Sequence, residues 1–475
     1  MAAGGFDAVI GNPPYIRIQT LNETQPEAVE YFGRQYGAAV KGNYDIYVLF
    51  LEKGLSLLNR SGVAGYICPH KFFNAKYGTP LRAQLAAGRH LSHIVHFGHQ
   101  QVFSGPTTYT CLIFLRKQGI ESCSVAKVAD LEAWQLAPTA SGTAVSADQI
   151  GAKEWHFDVG NGAALCRKLD AMPSKLKDVA HLFVGLQTDA DDVYILEFVR
   201  ETTRRTLCRS KATGKEHWFE RDHLKQFLKG SLNIRRYRFT DVTKRLLFPY
   251  SISEGKSILI DAAEYKRRFP LAWAYLEQNR ARLAARGKRR LGRQWYGYVY
   301  RKNHTRFDAP KILAPAIAEG ACFAVDLEGK YYFVGSGGGG GGDYGITVQK
   351  NVTMNERFLL GVLNSKLMTF YLRSRSSVFR GGYIALNKQY IEQLPIRSID
   401  FADRKDKARH DRVVELVDAM LALHEKVATA RTPHDRTTIE RQIAATDQQI
   451  DTLVYELYGL TDEEINVVEE AAERR

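Results

Sequence analysis

The residues best equipped for chemistry are Asn12, Pro13, Pro14 and Tyr15, directly after the apolar run FDAVIG, Phe6 to Gly11. The two prolines fix φ and remove two backbone donors, so nearby carbonyls can face a ligand without competing N–H groups. The Asn12 side-chain oxygen and a proline carbonyl are two acceptors aimed at one point, which suits an amino group with two N–H donors. Drawing electron density onto such a nitrogen as it attacks stabilises the charge developing there. Tyr15 offers a flat face to a planar base. A bare Pro-Pro would more simply end a strand; the flanking Asn and Tyr, and a basic region further along, favour the functional reading.

Such a tetrapeptide needs a rigid edge to stand on. FDAVIG reads as a strand, and Asp45 to Leu58 as a helix with apolar positions three and four apart. Gly62 closes that helix before a second strand, Val63 to Cys68. A short helix, Leu81 to Ala87, precedes strand-like runs at His93 to Phe97 and Thr110 to Leu115. This rhythm predicts an α/β sheet with parallel members, whose carboxyl edge is where open sheets of this class bind ligands.

Beyond residue 120 the character changes. Residues 121–175 read as a connector rich in Ala, Ser, Thr and Gly, and 176–398 as a separate α+β domain of short β-like runs between Arg/Lys-rich helices, Ala262 to Arg286 among them. Residues 399–475 read as a helical tail. Val413, Leu416, Val417 and Met420 line one helix and Ile450, Val454 and Leu457 a second, with the turn at Thr432-Pro433 making a hairpin.

With 475 residues, 45% hydrophobic and 25% charged, the chain can bury several cores, which excludes wholesale disorder. No run of about 18 apolar residues is present, so no membrane span is expected. Cys68, Cys111, Cys123, Cys166, Cys208 and Cys322 lie far apart without a CxxC pair, which fits reduced thiols in a cytoplasm. The formal net charge is +14, yet Arg200 to Asp308 alone holds 28 Lys/Arg against 10 Asp/Glu. One segment thus carries all the positive excess and points to a polyanion, nucleic acid first. Its Arg-and-aromatic clusters, Arg235, Arg236, Tyr237 and Arg238, then Arg289, Arg290, Arg293, Trp295, Tyr296 and Arg301, are the candidate DNA contacts, phosphates positioning the duplex and guanine edges giving specificity.

The segments IGNPPYIR, GNYDIYVLFLEKGLSLL and GVAGYICP together resemble adenine-N6 DNA methyltransferases of the type IIG restriction–modification group. VFSGPTTYTCLIF, Val102 to Phe114, resembles a later motif of that family. VGLQTDADDVYIL, FLKGSLNIRRYRF and LNKQYIEQLPI resemble its Taq-type target-recognition domain, and YELYGLTDEE its ending. The resemblance implies methyl transfer from S-adenosylmethionine to adenine N6 in double-stranded DNA, within a restriction–modification or phage-defence system. Asn12 and Pro13 would accept from the adenine amino group, and Tyr15 and Phe103 would hold the ring. The base must be flipped, because its amino nitrogen otherwise lies inside the paired stack. The implied fold is a partial Rossmann-like methyltransferase sheet over residues 1–120, then an α+β DNA-recognition domain and a C-terminal helical hairpin.

The chain departs from that family at its start. The glycine-rich loop and acidic residues that hold the cofactor normally precede the NPPY strand, and here five residues precede Phe6. The cofactor-binding residues are therefore unknown, and half a sheet with an open edge strand is expected. The glycine-rich run Gly335 to Gly342 follows a strand deep in the recognition domain and opens no helix, so it reads as a loop near DNA. A second chain supplying the cofactor-binding half, an incomplete gene product and a catalytically silent remnant are the three explanations open, and a non-catalytic DNA-binding specificity module is the alternative function. A protein-glutamine methyltransferase, which also uses NPPY, has no need of the basic domain. His90, His93, His96 and His99 recur every third residue, a period that alternates faces on a strand, so no metal is expected there. Asp261, Glu264 and Lys266 faintly match a nuclease pattern, and no nuclease activity is assigned to them.

Overall fold

The computed structural model describes residues 4–39, 43–98, 100–103, 108–157, 162–287, 291–335 and 342–473. The chain divides into two units: Met1–Cys166 with Val378–Gly382, and Arg167–Ser377 with Tyr383–Arg475.

In the first unit, FDAVIG forms strand β1 (Phe6–Gly11). Helices α1 (Ile18–Thr24), α2 (Pro26–Gln35) and α3 (Tyr47–Leu57) lead to strand β2 (Leu58–Pro69), which begins as α3 ends. Helix α4 (Thr79–Ala87) and strands β3 (Leu91–His96), β4 (Thr110–Arg116), β5 (Ser122–Lys127) and β6 (Thr143–Ser146) follow. The strands form one mixed sheet in the order β1-β2-β4-β3-β5-β6, with β1 parallel to β2 and β3 parallel to β5. Apolar α3 buries Tyr47, Val48, Leu49, Leu51 and Leu55 in the core with Ile94, Ile113 and Leu115 of the sheet. β1 stands at the edge, where Ile10 is 90% exposed and Phe6 52%.

Residues 121–175 are not a connector. β5 and β6 extend the first sheet, and Cys123, Val125, Ile150, Trp155 and Phe157 join its core. The small residues that suggested a linker serve the β6 hairpin, where Ser124 Oγ bonds Gly142 N at 2.9 Å.

In the second unit, six strands lie in the spatial order Glu216–Glu220, Arg205–Ser210, Ile195–Glu201, Lys244–Leu247, Leu224–Leu228 and Tyr331–Phe333. Four more, Ala324–Asp326, Lys311–Ala314, Tyr344–Val348 and Ala180–Val184, form a second sheet. The expected helix Ala262 to Arg286 is three short ones, Ala262–Arg268, Pro270–Gln278 and Arg280–Ala284. Pro270 cannot continue the first helix and starts the second, where its missing N–H costs nothing. The tail hairpin is present as Arg404–Thr429 and Pro433–Leu457, followed by a third helix, Asp462–Glu473. The tail is no separate body. Val413 and Val417 close on helix Glu356–Asn364 so tightly that a Cβ at Gly361 would lie 2.8 and 3.0 Å from their methyl carbons.

One packing constraint ties the first unit's motif segments together. The Tyr66 ring of β2 fills the space in which a Cβ at Gly11 or Gly54 would sit, at 2.6 Å from Cε1 and 1.9 Å from the hydroxyl respectively. Alanine at position 54 of α3 would favour the isolated helix by about 1 kcal/mol. Here overpacking outweighs that gain, so Gly54→Ala is expected to destabilise the chain by roughly 1–3 kcal/mol. Tyr66→Phe should return part of the loss, as measured by denaturant unfolding in a double-mutant cycle.

Candidate active site and recognition unit

Asn12 to Tyr15 turn off the carboxyl end of β1, level with the end of β2. Beyond them, the Ile18 N–H donates to the Tyr44 carbonyl and the Ile46 N–H to the Ile16 carbonyl, both at 2.9 Å. The tetrapeptide is therefore anchored by β1 on one side and by the strap entering α3 on the other. Pro13 is buried, while Asn12 and Pro14 are exposed. The Tyr15 hydroxyl lies 3.0 Å from Asn12 Oδ1 and 3.1 Å from the Ile67 carbonyl, either of which can accept its proton. Its ring meets Tyr47 edge-on, with centroids 6.2 Å apart. Burial and the neighbouring Cys68 and Cys111 push the phenol up to about 12, so it remains a neutral donor. The contact with Tyr15 fixes the Asn12 oxygen and leaves it a second lone pair for an external donor. Tyr47 and the Ile67 carbonyl were not legible as site residues, since nothing in the sequence marks which core tyrosine or carbonyl will face the motif.

The same sheet edge carries the end of β3 and the start of β4, because Cys68 pairs with Cys111 and His96 with Cys111 in register. His70 and His96 lie there with ring centroids 4.3 Å apart. Burial lowers both imidazoles below their ordinary range, His96 further because His70 and Lys127 face it. Phe103, the second candidate stacking residue, is 37% exposed. The segment between β2 and α4 is held by the buried Arg82, which donates to the carbonyls of Ala75 at 2.9 Å and Ala152 at 3.2 Å, and also to that of Phe72. His90 Nδ1 bonds the Arg116 carbonyl and His93 packs on Phe114, so the histidines diverge; His99 lies outside the described residues.

In the second unit the two arginine clusters divide. Arg236 is committed to structure: its guanidinium makes a two-pronged bond to Asp447 at 2.9 and 2.8 Å and a third to the Asn364 carbonyl. Arg235 is exposed but bonds the Ser231 and Ile234 carbonyls of its own turn. Arg238 pairs across from Arg235 in a two-residue ladder, and Arg293 is exposed on the turn Gly292–Gln294. Arg289, Arg290 and most of the glycine-rich run lie outside the described residues. The interleaved aromatics face inward: Tyr237, Trp295 and Tyr296 are all buried. Tyr237 takes a left-handed turn (φ +64°) between the two short strands, and Trp295 and Tyr296 follow the turn Gly292–Gln294, so it is these turns that carry the rings into the core. Asp261 and Glu264 are equally ordinary, one capping a helix at Ala263 N and the other paired with Arg268.

Two family models match parts of the chain. Residues 1–103 match the Eco57I restriction-modification methylase family, and residues 250–396 match the TaqI-like C-terminal specificity domain. The first stretch holds the NPPY edge, and the second lies almost wholly in the second unit. Among known proteins it is 26% identical to the type II restriction enzyme and methyltransferase RM.Eco57I of Escherichia coli, over 98% of this chain and 48% of that protein. It is 24% identical to the type II methyltransferase M.PaeR7I of Pseudomonas aeruginosa, over 97% of this chain and 72% of that one. The chain thus spans about half the length of the first relative. The structure of the type IIL restriction-modification enzyme MmeI in complex with DNA shares the fold, with TM-score 0.60 at 13% identity over 97% of this chain and 56% of that one.

Behind Arg236, Asp451 is buried at the start of helix Lys366–Arg375, where one carboxylate oxygen accepts the Lys366 N–H at 2.8 Å and the other has no hydrogen-bond partner. Burial pushes this carboxyl up to about 7. Between about pH 4 and 7 the folded chain binds the extra proton, so this group's contribution to stability falls as pH rises through that window. Asp451→Asn keeps the acceptor and removes the titration. It should flatten the fall by up to about 1.4 kcal/mol per pH unit, so urea unfolding at pH 5 and pH 8 should show the variant gaining on the wild type at pH 8.

Proposed function

We propose that this chain carries the target-base edge and the recognition domain of a site-specific DNA methyltransferase. The enzyme methylates adenine N6 in double-stranded DNA as part of a cytoplasmic restriction–modification system. The observation that carries this reading is the Asn12 oxygen, oriented by Tyr15 at the carboxyl end of β1 in a chain continuous with a TaqI-like specificity domain. Bound S-adenosylmethionine supplies the electrophilic methyl group. Asn12 Oδ1 and the Pro13 carbonyl accept the two amino hydrogens of a flipped adenine and draw its lone pair toward the methyl carbon. No general base is demanded for the attack: the acceptors stabilise the charge developing on the nitrogen, and as the N–C bond forms and the methyl–sulfur bond breaks, one amino proton passes to solvent. The planes of Tyr15 and Phe103 hold the ring against the energy lost on unstacking, a few kcal/mol. Arg235, Arg238 and Arg293 contact the duplex backbone, and Arg236 serves them by holding their ladder against the tail. Among the described residues no helix is long and apolar enough to cross a membrane, and none of the six cysteines is in a disulfide.

None of the described residues beside β1 forms a glycine-rich turn opening a helix, so no residue of this chain is assigned to the cofactor. The exposed β1 edge supports pairing with a segment that carries that site, in a second chain. It equally favours the second reading, a specificity module that binds DNA without cofactor of its own. Calorimetry on the purified chain tests both, since each expects no cofactor binding by this chain alone. Binding of S-adenosylmethionine overturns both, and absence of binding directs the search to the polypeptide that carries the cofactor site.

Asn12→Ala is expected to abolish methylation, a loss of at least about 10²-fold for one transition-state acceptor, and to leave DNA affinity unchanged. Tritium transfer from labelled cofactor and filter binding at fixed salt are the measurements; methylation at the wild-type rate removes the assigned role.

A further inference from the structure

The segment that carries Phe103 leaves β3 at His96 and rejoins the sheet at Thr110 of β4. Its start is tied by side chains from elsewhere in the first unit. The Gly98 N–H donates to His96 Nδ1 at 2.9 Å, and the Gly98 carbonyl lies 3.3 Å from His70 Nε2. Gly98 has φ +60°, so this amide is turned outward by a left-handed residue that favours glycine. Because a carbonyl only accepts, His70 carries its proton on Nε2; because Nδ1 of His96 accepts, that ring carries its proton on Nε2 as well. Phe97 is buried edge-on against Trp134, with centroids 5.1 Å apart. The Gln100 side chain bridges the Val128 carbonyl and the Leu131 N–H at 2.6 and 2.7 Å.

The same histidine meets Tyr109 on the far side. The His70 backbone N–H donates to the Tyr109 carbonyl at 3.2 Å, one rung past Pro69 and Thr110 in the β2–β4 ladder, and the two rings are stacked at 6.5 Å with 22° between their planes. One residue, the first after β2, therefore meets described residues on both sides of Phe103. Of its two bonds, the one from the imidazole to Gly98 belongs to no strand or helix.

We infer that His70 is a positioning residue for Phe103, setting through its imidazole's bond to Gly98 and its ring contact with Tyr109 where that ring stands relative to the Asn12 and Tyr15 edge; this rests on the reading of Phe103 as a base-stacking residue. His70 touches no reacting atom. It acts by removing conformational freedom from a stacking group, so its loss falls on the extruded base and spares DNA binding.

Two measurements on the full chain test it. In hydrogen–deuterium exchange of the free protein, His70→Ala should speed exchange across Phe97 to Phe103 by about tenfold, the scale of one lost hydrogen bond, with β2 and β4 amides at the wild-type rate. His70→Gln, whose side-chain amide can still donate to Gly98, should restore protection. Unchanged exchange in His70→Ala overturns the inference. In the second measurement, a duplex carrying 2-aminopurine at the methylated position reports stacking of the extruded base. His70→Ala and Phe103→Ala should each reduce the signal, and the double variant should be no worse than Phe103→Ala alone. A signal lost in Phe103→Ala but kept in His70→Ala overturns the inference alone. A signal kept in Phe103→Ala overturns the stacking reading and the inference with it.

Discussion

Tyr66 occupies a place where strand β1, helix α3 and strand β2 meet, and it fits because two of its neighbours have no side chain. Gly11 is the last residue before Asn12, and Gly54 lies a turn inside α3. A methyl group at either would enter the tyrosine ring or its hydroxyl. Close-packed interiors transmit such a displacement instead of absorbing it. Moving Tyr66 would shift the end of β1, and with it the carboxamide that the Tyr15 hydroxyl orients. The geometry of the proposed chemistry thus depends on a steric fit between three segments far apart in sequence, more than on any bond the four motif residues make among themselves.

Around that fit the site is held by bonds to the backbone. The strap after the motif bonds to residues 44–46, Arg82 gathers carbonyls of the segment after β2, and His70 and His96 grip Gly98. Each donor or acceptor is satisfied in a partly dry environment, where an unpaired group would cost about 1–3 kcal/mol. A methyl transfer needs acceptors fixed before the base arrives, since reorganising them at the moment of reaction would raise the barrier.

The second unit uses its positive charge in two ways. Arg286 is buried and donates to the carbonyls of Leu283, Trp295 and Gly297, and Lys311 is fully buried against Asp326. Arg236 binds Asp447 of the tail hairpin. These cations hold the second unit together and cannot also reach a phosphate. The charge left for the proposed DNA contacts is smaller than the local excess in the sequence, and in that reading it falls to residues such as Arg238 and Arg293 on turns and short ladders.

Much of this was legible in residue order. The NPPY tetrapeptide after an apolar run, the amphipathic periods of α3 and the tail hairpin, and the concentration of Lys and Arg over one stretch are local signals. They gave the class of fold, and they carry the proposal of a target-base edge and a polyanion partner. What they left open were pairings between distant residues. The stretch 121–175 looked like a linker because small residues also build hairpins, and only a sheet already in place recruits β5 beside β3. Arg236 was indistinguishable from Arg235 and Arg238 until the fold brought Asp447 to it across 211 positions. Nothing in the sequence singled out His70. Local sequence sets conformational preference and charge, whereas burial and the identity of a hydrogen-bond partner arise only when the chain closes on itself. The sequence determined which groups could do the chemistry; the tertiary structure decided which were free to do it and which became its supports.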